Sequence, residues 1–365
     1  GYDIDKKKTI FKNNEDIVND TNLSNIFKKN YKTSIFLNTK FKPSFINFIC
    51  VSTKNKNISI ENDTNLYINI IKNIVNIRIK YDLTYIVLMS TTQVGFSKKI
   101  VKYLDDNNIS NKFKFLYTPE RIFPSNLYFE LINNNRVVGH NDTKSFKIIK
   151  KVLSTFVKGK IIGVDHSAAE LIKISENTYR NINIAYANEL LKICIKESIN
   201  INNVIKIAND HPRVNILHPG IGVGGHCIPV DPFFLITKFK DIPMIKSSVK
   251  SNENQTLFFI KKINKYIKKN QIKNVIFLGC SYKANVADLR NSPSLKLIDA
   301  ITKNNNIDIS VCDDVINKNF KNNFKFIKFD NLQINKFELV ILLVCHDLFN
   351  NLKIDNFKSF IDLSG

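Results

Sequence analysis

Between Ser167 and Ile201 the chain carries neither glycine nor proline, and apolar residues recur there at helical spacing. Such a run reads as one long helix. A helix of that length joins domains or pairs subunits, so the sequence on either side must find its own core. Ahead of it, short apolar runs (Phe45–Val51, Thr84–Met89, Lys114–Tyr117) alternate with amphipathic stretches such as Asn65–Ile79. From Gln271 the rhythm returns in Asn274–Leu278, Ile307–Cys312 and Glu338–Cys345. A helix between them is opened by Ser292-Pro293, an N-cap serine with a first-turn proline. Strand–helix alternation of this kind specifies a parallel, doubly wound sheet. The expected fold class is α/β, with two Rossmann-like doubly wound domains joined by the long central helix.

With 44% hydrophobic and 24% charged residues the chain can bury sizeable cores, which excludes a disordered protein. Its longest apolar runs, Tyr85–Met89, Val275–Leu278 and Leu339–Cys345, fall far short of the roughly 18 residues of a membrane span. No charged-then-apolar segment opens the sequence, so export is not expected. Lys+Arg 54 against Asp+Glu 32 gives a net charge of +22. That excess is spread evenly, Asn and Ile are as inflated as Lys, and no basic run is interleaved with stacking aromatics. The three inflated residues share A/T-rich codons, so the charge reads as genomic drift. Neither a nucleic-acid nor a membrane partner is expected, although the field attracts anionic substrates. Cys50, Cys194, Cys227, Cys280, Cys312 and Cys345 lie far apart without a CxxC pair, which excludes a disulfide framework or zinc site. Four of them (Cys50, Cys280, Cys312, Cys345) sit in or beside apolar runs. They are expected to be buried thiols in a reducing cytoplasm.

Each early strand runs into polar residues: Ser52-Thr53, Ser90-Thr91-Thr92 and Thr118-Pro119-Glu120-Arg121. Short polar residues after a strand are ordinary turn chemistry, but three such ends on one C-terminal rim mark where parallel sheets bind ligands. The densest punctuation is HPRVNILHPGIGVGGHCIPVDPFFLI. Gly220, Gly222 and Gly225 formally satisfy G-x-G-x-x-G, yet a Pro-bounded loop precedes them where the dinucleotide fingerprint needs a strand. Here the glycines are expected to allow positive φ and close approach of a ligand, on a loop that presents Cys227. Asp231-Pro232 reads as the N-cap and first turn of the next helix, whose dipole favours a thiolate just before it. Lys173 and Asn177, four apart, share one face of the long helix.

The motifs TPERIFP (Thr118–Pro124), AAELIKISENTYRNINIAYANEL (Ala168–Leu190), GVGGHCIPVDPFF (Gly222–Phe234) and GCSYKANVADLRNSP (Gly279–Pro293) stand in the order of a known family. Over nearly its whole length the chain resembles the UDP-glucose/GDP-mannose dehydrogenases, NAD-dependent enzymes that oxidise a nucleotide sugar twice at C6. The resemblance implies an NAD-binding domain over 1–160, a central helical dimerisation domain over 161–270 and a UDP-sugar-binding domain over 271–365. It implies Cys227 as nucleophile, Lys173 and Asn177 as holders of the water and the oxyanion, and Glu120 as the acid assisting thioester hydrolysis. Asp231 matches the carboxylate beside the lysine, and Thr91 the threonine near C6 and the nicotinamide. Cofactor contacts are implied for Asp3, Thr53, Thr91, Glu120 and Arg290. Substrate contacts are implied for Lys173, Asn177, Arg213, Gly224 and Lys283. No metal is implied, and the partners are a UDP-sugar and a second copy of the chain.

The sequence also departs from the family pattern. Gln93 and Ser52 replace prolines usual in it, and the glycine-rich strand–loop unit that seats the NAD pyrophosphate is not found. Gly1-Tyr2-Asp3 resembles the end of the second strand, so the first βα unit is expected to be missing. Two functional readings follow: a dehydrogenase acting in surface-polysaccharide synthesis, or a non-catalytic remnant that binds UDP-sugar or dimerises. His226-Cys227 resembles the branch acting on UDP-N-acetylhexosamines such as UDP-N-acetylmannosamine, whereas UDP-glucose enzymes show G-F-G-G-S-C. UDP-N-acetylglucosamine and UDP-glucose remain alternative substrates.

Overall fold

A computed structural model describes residues 21–30, 33, 35, 38, 40–51, 60–77, 81–122, 126–304, 306–316, 324–352 and 357–364. It forms two compact units, Gly1–Ile174 and Ser175–Gly365. The first contains α1 (Thr21–Asn30), β1 (Ile46–Ile49), α2 (Ile60–Asn76), β2 (Thr84–Leu88), α3 (Phe96–Asp106), β3 (Phe113–Tyr117), α4 (Leu127–Asn133), β4 (Arg136–Gly139), α5 (Thr143–Leu153), β5 (Ile161–Val164) and the start of α6 (His166–Glu197).

Its strands lie in the order β1-β2-β3-β4-β5. Pairing is parallel except between β3 and β4, where Tyr117 faces Gly139 across an antiparallel junction. Every residue of β2 is buried, because helices cover both faces of this central strand. Ile86 and Leu88 join Tyr67, Ile71, Phe96 and Ile100 of α2 and α3 on one face, while Tyr85 and Val87 join Ile149 and Leu153 of α5 on the other. The alternation expected from the early apolar runs is therefore present, with strand ends shifted by one or two residues: β1 and β2 are shorter than expected and β3 begins one residue earlier, at Phe113.

The long helix is α6, but it is shorter than the glycine-free run. It stops at Glu197, where Ser198 turns left-handed at φ 57°. The amide of Ile199 then reaches back to Cys194 O at 2.9 Å, the closing bond of a Schellman turn. Asn200 caps α7 (Ile201–Asn209) by accepting from Asn202 N at 2.9 Å and Asn203 N at 3.3 Å. A capping asparagine ends the expected helix where glycine or proline does not.

The second unit continues through α7, α8 (Asp231–Ile236), α9 (Pro243–Lys269), β6 (Asn274–Leu278), α10 (Pro293–Asn304), β7 (Asp308–Cys312), β8 (Lys325–Phe326), β9 (Leu339–Leu342) and β10 (Phe360–Asp362). Its sheet runs β10-β9-β6-β7-β8 and every pair is parallel. Val275 and Phe277 pack with Phe259, Ile263, Leu297 and Ile298 of α9 and α10, and Ile276 and Leu278 with Val340, Phe337 and Phe349. The chain leaves the central strand β6 first toward β7 and later returns to β9, so a switch point lies between β6 and β9. In open α/β sheets that is where a crevice forms at the carboxyl ends of the strands. Ser292 opens α10 as expected, its Oγ accepting from Leu295 N at 3.1 Å. Among the described residues no helix is long and apolar enough to cross a membrane.

All six cysteines are free. Cys194, Cys280 and Cys312 are buried, whereas Cys50 and Cys345 are exposed, contrary to the expectation for strand-flanking thiols. Cys50 directly follows β1 and Cys345 lies three residues past the end of β9, so neither thiol is in the sheet. Burial pushes the Cys312 thiol up to about 12, with the nearby Asp314 and Asp313 carboxylates adding to it.

Candidate active site

In the first unit the polar strand ends gather on one rim. Ser90 donates to Val51 O at 2.5 Å, tying the turn after β2 to the end of β1. The amide of Thr118 reaches Leu88 O at 2.9 Å and that of Glu120 reaches Met89 O at 3.3 Å, which brings the turn after β3 alongside. Thr91 and Glu120 thus sit on neighbouring strand ends. Tyr67, beneath them on α2, donates to Thr91 O at 3.5 Å. Two partners were not legible beforehand. Arg136, buried at the start of β4, forms an ion pair with Glu120. Glu170, buried on α6, accepts from Gly95 N at 2.5 Å, Ser97 N at 2.7 Å and Ser97 Oγ at 2.6 Å. That places an anion at the N-terminus of α3, just after the Thr91 turn. Lys173 is buried one helical turn beyond Glu170. Asp3 and Thr53 lie outside the described residues.

In the second unit Cys227 is exposed on a loop that no strand precedes, as expected. Its carbonyl accepts from Val230 N at 3.0 Å and Asp231 N at 2.8 Å, a tight turn leading into α8. Val230 occupies the cap position and Asp231 is the first helical residue, so Asp231 is not the N-cap that Asp-Pro suggests. Its carboxylate instead takes a 2.5 Å hydrogen bond from Asn177 Nδ2, and both residues are buried.

The glycines of this loop have an occupant other than the expected ligand. Gly225 has φ 86°, and a Cβ there would stand 2.8 Å from the Tyr282 ring. A Cβ on Gly224 would stand 2.7 Å from both Pro293 and Tyr282. They are small because the 279–293 loop lies directly against them. Gly225 N donates to Arg290 O at 3.0 Å and Asn291 Nδ2 donates to Gly225 O at 2.9 Å. Lys283 and Arg290 are carried on that second loop, and the structure brings it to the Cys227 turn. Arg290 grips Asp288, its Nε donating at 3.0 and 2.9 Å and its Nη2 at 2.6 Å. Burial, then the charges of Asp288 and Cys227, push the Tyr282 hydroxyl up.

A buried amide network holds the glycine loop from behind. Asn188 Oδ1 accepts from Gly220 N at 3.0 Å, and Gln255 Nε2 donates to Gly220 O at 2.9 Å. Asn188 also donates to Asn252 at 3.0 Å, and Asn181 Nδ2 donates to Ile228 O at 3.3 Å. Asn181 and Asn188 are polar residues within the long helix α6, and this is their use. The 279–293 loop is pinned in turn by a buried pair at the switch point. His346 Nδ1 accepts from Asn285 N at 2.9 Å, so its Nε2 carries the proton and faces Asp313 Oδ2 at 3.2 Å. Arg213 is exposed on the loop after α7 and makes no described contact with the Cys227 group.

The fold and this cysteine loop define a class of two-unit α/β proteins with a thiol presented on a glycine turn. Residues 1–157, 167–254 and 276–364 match the NAD binding, central and UDP binding domains of the UDP-glucose/GDP-mannose dehydrogenase family, and the chain belongs to that family. It is similar to the UDP-N-acetyl-D-mannosamine dehydrogenase of Methanocaldococcus jannaschii, 44% identical over 213 residues, 58% of this chain and 49% of that one. The Campylobacter jejuni protein of the same name is 34% identical over 291 residues, covering 75% of this chain and 71% of that one. A solved UDP-N-acetyl-mannosamine dehydrogenase of Staphylococcus aureus superposes with a TM-score of 0.85 at 28% identity, covering 100% of this chain and 88% of that one. The chain spans about half the length of the archaeal relatives it matches.

Proposed function

We propose that this protein oxidises a UDP-N-acetylhexosamine, UDP-N-acetylmannosamine before others, at C6 to the uronic acid through a thioester on Cys227, for surface-polysaccharide synthesis. The observation that carries the reading is the second unit's cluster: an exposed thiol beside the buried Asn177–Asp231 pair and against the loop bearing Lys283 and Arg290. Its place at the switch point suits a nucleotide, and Lys283 with Gly224 would take the sugar nucleotide.

The rim of the first unit fits NAD by its donor set: a hydroxyl on Thr91 beside a carboxylate on Glu120, at the carboxyl ends of parallel strands. Thr91, Glu120 and Arg290 would hold the cofactor, with Asp3 and Thr53. When bound, NAD accepts one hydride in each of the two oxidations. The Cys227 thiolate adds to the C6 aldehyde, forming a C–S bond. Lys173 and Asn177 donate hydrogen bonds to the resulting oxyanion. Loss of the second hydride leaves a thioester. Water then attacks its carbonyl carbon, the C–S bond breaks, and sulfur leaves as the thiolate.

Tyr179, Tyr186 and Ile193 are exposed on α6 at seven-residue spacing, an apolar stripe suited to a homodimer. Arg213, exposed and away from the Cys227 group, fits a role toward the other copy's sugar. Free thiols throughout suit a reducing cytoplasm.

The test is turnover of UDP-N-acetylmannosamine with NAD, beside UDP-N-acetylglucosamine and UDP-glucose. Two NADH per sugar are expected, with loss of acid formation in Cys227→Ala. Sugar binding by calorimetry without any NADH would instead favour the binding-only alternative.

A further inference from the structure

In the second unit, the loop between β6 and α10 is tied down by three buried side chains, Ser281, Asp313 and His346. Asp313 Oδ2 accepts from Cys280 N at 2.7 Å, from Ser281 N at 3.1 Å and from His346 Nε2 at 3.2 Å. His346 Nε2 also stands 3.3 Å from Ser281 Oγ. Its Nδ1 accepts the Asn285 amide at 2.9 Å, so the ring proton is on Nε2 and is shared between Asp313 and Ser281. Ser281 Oγ gives its own proton to Lys283 O at 2.8 Å. Asn285, left-handed at φ 58°, accepts Asp347 N on its Oδ1 at 3.1 Å. Asp313 Oδ1 takes Val315 N at 3.2 Å, so each polar side-chain atom of the three residues is used.

Asp313 alone would join the ends of β6 and β7. His346, arriving after β9, adds a reach to Asn285 that the sheet does not require, since water satisfies the amides of an ordinary surface loop. What the addition brackets is one residue. From Ser281 to Ala287 the only charge is that of Lys283. The bonds to Lys283 O and to Asn285 N fix the backbone on both sides of its side chain. A lysine is a point charge on a flexible stem. Binding an anion must order that stem, and a backbone already held in place lowers the cost.

We infer that His346 is a positioning residue for the nucleotide: through Ser281 Oγ and the Asn285 amide it sets the place of Lys283, while Asp313 orients the ring. This deepens the reading that Lys283 takes the sugar nucleotide, and rests on it. The ligand chemistry is the diphosphate of a nucleoside diphosphate, which a fixed ammonium group pairs by charge-assisted hydrogen bonds. His346 is buried and acts only through Lys283. Every group in the chain of bonds belongs to the second unit.

The experiment measures UDP affinity of the full chain by calorimetry in Lys283→Ala, His346→Gln, His346→Asn and Ser281→Ala. Two double variants add Lys283→Ala to His346→Gln and to Ser281→Ala. Lys283→Ala is expected to weaken UDP by about 10-fold, the scale of one charge-assisted bond. His346→Gln keeps a donor toward Asp313 but loses the acceptor for Asn285, and is expected to weaken UDP by about 5-fold, the scale of one lost hydrogen bond. His346→Asn, whose Oδ1 stands where Nδ1 stood, is expected to recover part of that loss. The double variants are expected to bind no worse than Lys283→Ala alone, because a residue acting through the lysine has nothing to add once the lysine is gone. Ser281→Ala removes only a hydroxyl and carries the same comparison if the glutamine variant does not fold. Losses that add in the double variants overturn the inference and leave the nucleotide reading standing. Wild-type affinity in both His346→Gln and Ser281→Ala does the same. Wild-type affinity in Lys283→Ala overturns both.

Discussion

Ser97 gives both its amide and its hydroxyl to one carboxylate oxygen of Glu170, at 2.7 and 2.6 Å. With Gly95 N on the other oxygen, this fixes the start of α3 to α6 and so holds the turn that carries Thr91. Glu170→Gln puts an amide N–H against these donors. It is expected to destabilise the protein by about 2–3 kcal/mol, the loss of charge-assisted bonds in a buried site, read by urea unfolding. Ser97→Ala should lose about 1 kcal/mol, since the backbone donors stay. Equal midpoints for Glu170→Gln and wild type would refute the arrangement.

The Asp313–His346 pair makes a pH prediction. Burial opposes ionisation of Asp313, but hydrogen bonds from His346, Cys280 N and Ser281 N outweigh it and bring the carboxyl below its ordinary value. A carboxyl depressed in the folded state stabilises above the unfolded value of about 4. That contribution is lost as pH falls through the folded value. Thermal midpoints measured from pH 6 downward should fall more steeply in wild type than in Asp313→Asn, which starts lower. Parallel curves would exclude this pair as a source of acid sensitivity.

Gly225→Ala tests the contact between the two loops. An alanine there faces a left-handed φ and a Tyr282 ring at 2.8 Å. A cost of about 1–3 kcal/mol is expected from the backbone strain alone. Because the loop carries Cys227, alkylation of that thiol should change in rate as well. Adding Tyr282→Ala, which opens the space, should recover part of the stability but not the part due to φ.

Tyr179→Arg with Tyr186→Arg should abolish self-association if the α6 stripe is a subunit interface. Sedimentation velocity at micromolar concentration is the measure. A wild-type protein that sediments as a monomer would remove the premise.

The architecture was legible because it rests on local pattern: apolar runs with turn chemistry at their ends place β2, β6 and α10 to within a residue or two. Cys227 was legible because four glycines crowded just ahead of a thiol are unusual. Its neighbours were less so. Arg136 reads as a charge at a strand end and Glu170 as a solvated helix face, since a polar residue's partner far along the chain leaves no mark on local spacing. The same blindness gave the glycines to a ligand. Only three-dimensional contact shows that Tyr282 and Pro293, some sixty residues later, fill the space they leave. Asn200 was missed as a stop because a side-chain cap is weaker punctuation than Gly or Pro.

The continuity of α6 matters to anyone who would dissect this protein. The boundary between the two compact units, Ile174 to Ser175, falls inside a helix that runs unbroken from His166 to Glu197. A fragment ended there would lose the helical hydrogen bonds its last carbonyls make with the next turn. It would also part Lys173 from Asn177. The expression boundary is therefore better placed after Glu197, where the backbone already turns and Glu170 stays with the start of α3. Limited proteolysis should nick just after Glu197 and spare the helix itself.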